Sequence, residues 1–168
     1  MKTALLNRIR LAPFTEDRVE RTFAWISKPT LQRAFLMRGE PTRSGHESYF
    51  ARVLADPAQR VYAILCDDEH VGNCGFKHID PGAGEGELWI YVGPRLLRGK
   101  GVGEAATRLL LREGTERLGL RRVFAHVAED NEPARRLYAR AGFVQTGMGA
   151  AEWGGRGVIR MLWESRLA

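Results

Sequence analysis

Cysteine and lysine are scarce in this 168-residue sequence, and no stretch stays hydrophobic for long. The two cysteines, Cys66 and Cys74, flank a predicted hairpin turn at Asp67-Asp68-Glu69-His70. In that register Cys66 lies opposite Val71 and Cys74 opposite Ala63, so the thiols do not face each other and no disulfide is expected. Their spacing suits no zinc site either, and the reading is a pair of buried, reduced thiols with no metal. No apolar run approaches the roughly 20 residues of a membrane span. The segment Met1 to Arg8 has too short an apolar part for a secretory signal. The expectation is a cytoplasmic protein without a membrane partner.

Lysine is sparse because arginine carries nearly all of the positive charge, and the net charge is +6. Between Arg95 and Arg140 there are eleven cations (all but Lys100 arginine) against six anions. Most of the excess therefore sits in one segment. A basic patch allows nucleic acid as a partner, but no recognition module and no interleaved aromatics accompany it. Nucleic acid is not expected. For most of these arginines a solvated basic face is the expectation, with an anion loop expected within the same segment.

That segment holds Arg98-Gly99-Lys100-Gly101-Val102-Gly103. Before it, Leu88 to Val92 has the β-branched and aromatic content of a strand. After it, Glu104 to Leu118 has the apolar spacing of a packed helix. Alternating glycines between two cations, opening a helix, let backbone N–H groups face an anion, and the helix dipole favours negative charge there. A pyrophosphate is the expected ligand. A Walker loop is excluded, because Gly93 is one residue out of register with Gly99-Lys100 and no Ser or Thr follows the lysine. Gly101-Val102-Gly103-Glu104-Ala105-Ala106 fits a dinucleotide fingerprint. However, that fingerprint should begin at the strand end, and Gly93 to Lys100 intervenes.

A coarse pass along the chain gives α/β alternation without repeats or linkers, and so one domain over 1–168. The predicted elements begin with a strand from Leu5 to Leu11 and a helix from a Thr15 N-cap to Ile26. Short helices follow over Leu31 to Met37 and from Ser44 or Gly45 to Leu54. A hairpin comes next, Arg60 to Cys66 with His70 to His78, and then the strand Glu87 to Val92. Beyond the glycine loop come a helix, a strand over Arg122 to Val127, a helix, and two strands over Phe143 to Met148 and Arg156 to Glu164.

The glycine loop resembles the Gln/Arg-x-x-Gly-x-Gly/Ala signature of the Gcn5-related N-acetyltransferase (GNAT) family, matched by Arg98, Gly101 and Gly103. Asn131 to Phe143 is similar to the family's Asn-x-x-Ala-x-x-Leu-Tyr…Gly-Phe helix. The two motifs occur in the family's order, one strand apart. The resemblance implies an acyl-CoA N-acyltransferase fold, a mixed central sheet of about seven strands flanked by helices. It implies that the central parallel strands splay and that acetyl-CoA enters the gap. The glycine loop, Arg98, Gly99, Lys100, Gly101, Val102 and Gly103, would hold the pyrophosphate. Ile90, Tyr91 and Val92 would offer backbone groups to the pantetheine arm by β-addition. Asn131 would cap its helix and touch the cofactor.

The implied activity is acetyl transfer to a primary amine by direct attack in a ternary complex. The leaving sulfur needs a proton, and the resemblance assigns that donor to Tyr138, whose reference pKa is about 10. The amine needs a base, and the family's acidic residue on this strand maps to Glu87. Glu85, His126 and His46 are further candidates. Backbone amides, Ile90 above all, would donate to the oxyanion. The stretch Phe23 to Pro29 with His46 and Phe50 is similar to acetyltransferases of nucleotide-linked amino sugars and of ribosomal-protein N-termini. The acceptor is thus a small-molecule amine or a peptide N-terminus. Trp25 and Phe35 either stack on it or fill core, and Trp153 offers an exposed aromatic. A homodimer is compatible with the resemblance. A coenzyme A-binding module without catalysis would carry the same motifs.

Overall fold

The structure is a computed structural model that describes residues 2–34, 39–148 and 156–166. Its elements are α1 (Lys2–Leu6), β1 (Ile9–Pro13), a 3-10 turn (Glu16–Arg18), α2 (Val19–Ile26), α3 (Pro29–Ala34) and α4 (Arg43–Ala55). Then come β2 (Arg60–Cys66), β3 (Glu69–Asp80), β4 (Glu85–Val92), a second 3-10 turn (Arg95–Leu97) and α5 (Val102–Leu118). The chain ends with β5 (Arg122–Ala128), α6 (Glu132–Arg140), β6 (Val144–Met148) and β7 (Val158–Glu164). One seven-stranded sheet runs in the order β1-β2-β3-β4-β5-β7-β6. It is mixed: β4 and β5 pair parallel, and the remaining neighbours pair antiparallel.

Alternation along β4 assigns the two faces of the sheet. Leu88, Ile90 and Val92 join the larger core under α5, with Phe76, Leu110, Leu120 and Val123. Tyr91 joins Trp25, Ile26 and Leu31 on the face covered by α2 and α3, and Trp89 packs against them. Phe14, Phe50, Val53 and Val61 form a third cluster there. A buried polar network pins α2 to the sheet. The Asn73 amide donates to Thr22 Oγ1 at 2.8 Å and to the Tyr91 hydroxyl at 2.7 Å, and the Asn73 carbonyl lies 2.7 Å from His70 Nε2.

The expected strand over Leu5 to Leu11 is split. Lys2–Leu6 is helical, and the strand starts only at Ile9. Thr15 is extended and its side chain caps nothing, so α2 starts at Val19 behind a 3-10 turn. Thr42 caps α4 instead, accepting from the Gly45 N–H at 3.1 Å. The β2–β3 turn is tighter than expected. Asp67 and Asp68 take positive φ (49° and 66°), and Cys66 pairs with Glu69. Two-residue hairpins of this twist need positive φ at both centres, which aspartate tolerates. Arg8 pairs with Asp67, and Arg10 pairs with Asp68 at 2.8 Å, tying the turn to β1. With a bulge at Ile64/Leu65, Cys74 falls opposite Tyr62 rather than Ala63, and both cysteines are free and buried.

Candidate active site

The parallel pairing of β4 with β5 covers only Glu85–Arg122, Gly86–Val123 and Glu87–Phe124. Past Glu87 the two strands separate, while β4 stays paired with β3 as far as Val92. A cavity of about 1040 Å³ opens where they part. Leu88 to Val92 line it on one side, and His126 and Val127 of β5 on the other. Leu97, Arg98, Gly99, Gly101, Gly103 and Glu104 close one end, and Asn131 and Tyr138 border it from α6. A split parallel pair leaves a strand edge where another extended chain can add.

The glycine loop is shaped by backbone conformation. Gly99 and Gly101 have φ of 71° and 93°, and Gly101 is the left-handed N-cap of α5. A side chain is disfavoured at such angles. The Ala105 N–H bonds the Gly101 carbonyl at 3.0 Å, so the N–H groups of Val102, Gly103 and Glu104 precede the first intrahelical bond. They form the positive end of a 17-residue helix, which suits an anion. The Glu104 carboxylate, the one anion in that first turn, is held by Arg108 at 3.2 Å and Arg140 at 3.1 Å. Lys100 is exposed, and the Val102 side chain is buried in the core, so Val102 has only its backbone to offer.

Arg98 takes a position the motif alone did not specify. Its Nε donates to the Val92 carbonyl at 3.1 Å and its Nη2 to the Gly93 carbonyl at 2.8 Å. The side chain fastens the end of β4 to the loop. Trp25 secures the same point from the other face: a Cβ on Gly93 would lie 2.2 Å from two indole carbons. Asn131 caps α6 as expected, its side chain accepting from the Ala134 N–H at 3.3 Å, and it also lines the cavity.

Tyr138 is 5% exposed, its ring 5.2 Å from that of Phe143. Burial pushes its phenol above the usual range, reinforced by the Glu87 charge, so the proton stays on at neutral pH. Glu87 stands across the cavity at the centre of a charged cluster. His126 Nδ1 and Lys77 Nζ lie 3.0 and 3.2 Å from its Oε1, and His78 Nδ1 lies 3.0 Å from its Oε2. Burial raises the Glu87 pKa, but His126, Lys77 and His78 outweigh it and hold the carboxyl at about 2. Glu87 is therefore a fixed negative charge at neutral pH. Glu85 pairs with Arg122 at 2.5 Å and does not line the cavity.

The acceptor side differs from the aromatic pattern in the sequence. Trp25 is core, 6% exposed. His46 is buried between Phe23 and Phe50, with Nε2 at 3.1 Å from the Val19 carbonyl. Desolvation lowers its pKa, and it does not line the cavity. Thr30, Leu31 and Ala34 of α3 line the cavity instead, as do Lys77 and His78 of β3. Their polarity and spacing gave no signal in the sequence. Phe35 and Trp153 lie outside the described residues. Among the described residues, no group of three or more His, Cys, Asp or Glu is placed to hold a metal ion, and no helix is long and apolar enough to cross a membrane.

Human alpha/beta-tubulin-N-acetyltransferase 9 is 27% identical over 173 residues, covering 85% of this chain and 76% of its own. An N-acetyltransferase 9-like protein of Nematostella vectensis is 24% identical over 152 residues, covering 83% and 76%. Among solved structures, spermidine N-acetyltransferase of Vibrio cholerae with CoA and spermine superimposes with a TM-score of 0.86 at 18% identity, over 94% of this chain and 96% of that one. At that identity the match shows the fold alone. The model of the acetyltransferase (GNAT) domain matches residues 8–144. The chain belongs to the GNAT acetyltransferase family, and it is an acyltransferase.

Proposed function

We propose that this chain transfers an acetyl group from acetyl-CoA to a primary amine on a nucleotide-linked amino sugar or a peptide or protein N-terminus. The observation that carries the reading is the single cavity joining the glycine loop, the diverging edge of β4 and Tyr138. The N–H groups of the Gly99–Gly103 loop and the first turn of α5 suit a pyrophosphate. The β4 stretch at Ile90, Tyr91 and Val92 suits an amide-bearing arm adding beside it. An acetyl thioester at the end of that arm would lie between Tyr138 and the Glu87 cluster. Backbone donors on β4 suit the oxyanion.

Transfer is direct. Cys74 is 0% exposed and burial pushes its thiol up, and neither cysteine lines the cavity, so neither is placed to carry an acyl group. The amine nitrogen attacks the thioester carbonyl, the C–S bond breaks, and the departing sulfur takes the Tyr138 proton. Lys77 and His78 at the acceptor end suit an amine that also bears phosphate or carboxylate. Among the described residues, the carboxylate a polyamine would meet there, Glu87, is already engaged by three partners.

The test is thiol release from acetyl-CoA against nucleotide-linked amino sugars, peptides with free N-termini and spermidine. The reading expects release with a member of the first two groups and the weakest response with spermidine. Tyr138→Phe should lower turnover about 10²-fold with little change in acetyl-CoA affinity. Binding of acetyl-CoA without release across the panel contradicts the reading.

A further inference from the structure

We propose that His126 is the group that takes the proton from the acceptor amine, and that Glu87 acts through it as a positioning residue. The assignment rests on the acetyltransferase reading and gives Glu87 a different part in it. Glu87 pairs with Phe124 at the last rung where β4 and β5 are joined. His126 is the next residue on the same face of β5, the first beyond the split. The carboxylate thus reaches forward along the gap to the ring, with Oε1 at 3.0 Å from Nδ1.

That contact fixes the tautomer. Glu87 is ionised at neutral pH and can only accept, so Nδ1 carries the hydrogen. In the neutral ring the lone pair is then on Nε2. The side chain is 34% exposed and lines the cavity, so a substrate nitrogen can reach it. A carboxylate that orients an imidazole through Nδ1–H also stabilises the imidazolium once the proton has moved.

Charged and titratable groups surround the ring from each neighbouring strand and helix. β4 contributes Glu87, and β3 contributes Lys77 and His78 through that carboxylate. β7 contributes Arg160, the register partner of His126, whose guanidinium lies 3.9 Å from the Phe124 ring centroid. Tyr138 of α6 borders the same cavity. His78 has the same Nδ1 contact with Glu87, but its side chain is 76% exposed, out where water competes.

The step balances. The amine nitrogen forms its bond to the acetyl carbon and passes one proton to His126 Nε2. The C–S electron pair leaves with sulfur, which takes the Tyr138 proton. The imidazolium then returns one proton to the phenolate, directly or through water.

The experiment measures thiol release by wild type, His126→Ala, His126→Gln, His78→Gln and Glu87→Gln. The acceptor is the panel amine that works best with wild type. Melting temperature and acetyl-CoA affinity report whether each variant is folded. The proposal expects kcat/KM to fall about 10²-fold in both His126 variants with acetyl-CoA affinity within about twofold. Added imidazole should restore part of the activity of His126→Ala. Glu87→Gln should lose kcat yet keep the acidic limb of its pH profile, which His126→Gln should lack. Wild-type kinetics in the His126 variants overturn the assignment, and so does loss of the limb in His78→Gln or Glu87→Gln instead. Absence of thiol release from wild type with every amine of the panel overturns the acetyltransferase reading itself.

Discussion

Gly101→Ala isolates the backbone cost of the anion cradle. Gly101 sits at φ 93° and ψ 0° as the N-cap of α5. A Cβ built there meets nothing closer than Leu5 Cδ2 at 3.7 Å, an ordinary contact. The substitution therefore adds no steric overlap, only a left-handed L-residue, which costs about 1–2 kcal/mol. That cost has two outlets. If the loop keeps its shape, the strain lowers the melting temperature by about 2–8 °C for a chain of this size. If the loop relaxes, the first-turn N–H groups rotate away, and acetyl-CoA affinity falls by up to about 5–30-fold instead. Thermal denaturation and calorimetric titration of acetyl-CoA together should recover the full 1–2 kcal/mol or so. Gly101→Asn should do less damage, because asparagine tolerates the left-handed region. An alanine variant with unchanged stability and affinity would refute the reasoning. Equal damage from alanine and asparagine would also refute it, since that would point to a clash rather than to φ.

Arg98→Met removes the hydrogen bonds to the Val92 and Gly93 carbonyls. It should cost about 1–3 kcal/mol and weaken acetyl-CoA by misplacing the loop, read by the same two assays. Gly93→Ala drives a methyl group into the Trp25 indole, and should cost about 1–3 kcal/mol by overpacking. Trp25→Leu should relieve part of that cost, so a double-mutant cycle should show coupling. Glu87 has a depressed pKa, so its contribution to stability is present above the unfolded value. It is lost as pH falls from 4.5 through about 2. The stability gap between wild type and Glu87→Gln, followed by denaturant unfolding, should close over that window.

The glycine loop and the start of α6 were legible because both depend on backbone. Gly99, Gly101 and Gly103 announce a loop that only small residues can make, and Asn131 with Pro133 announces a helix start. Alternation along β4 placed Glu87, Trp89 and Tyr91 on one face, and the structure keeps them there. Local chemistry misled where tertiary contacts decide. The expected strand took in Leu5 and Leu6, but these end a helix, Lys2–Leu6, that contacts α5. Thr15 resembles a cap, yet its side chain caps nothing and a 3-10 turn precedes α2. The stretch Phe23 to Phe50 suggested an acceptor surface, but His46 and Phe50 fill core, and Trp25 takes the core place that was one of its two readings. Asn73 carried no signal, because its role arises only where Thr22 and Tyr91 meet it from distant positions. Arg98 stood out by motif, but where its guanidinium goes could be seen only with Val92 and Gly93 in place.

Direct transfer within a ternary complex is the central claim, and mixing the protein in stoichiometric amount with acetyl-CoA tests it most directly. Without an amine, the account predicts no burst of thiol and no acetylated protein. With the acceptor present, thiol and N-acetylated amine should appear together in equal amounts. A thiol burst matched by acetyl-enzyme in the absence of amine would contradict it.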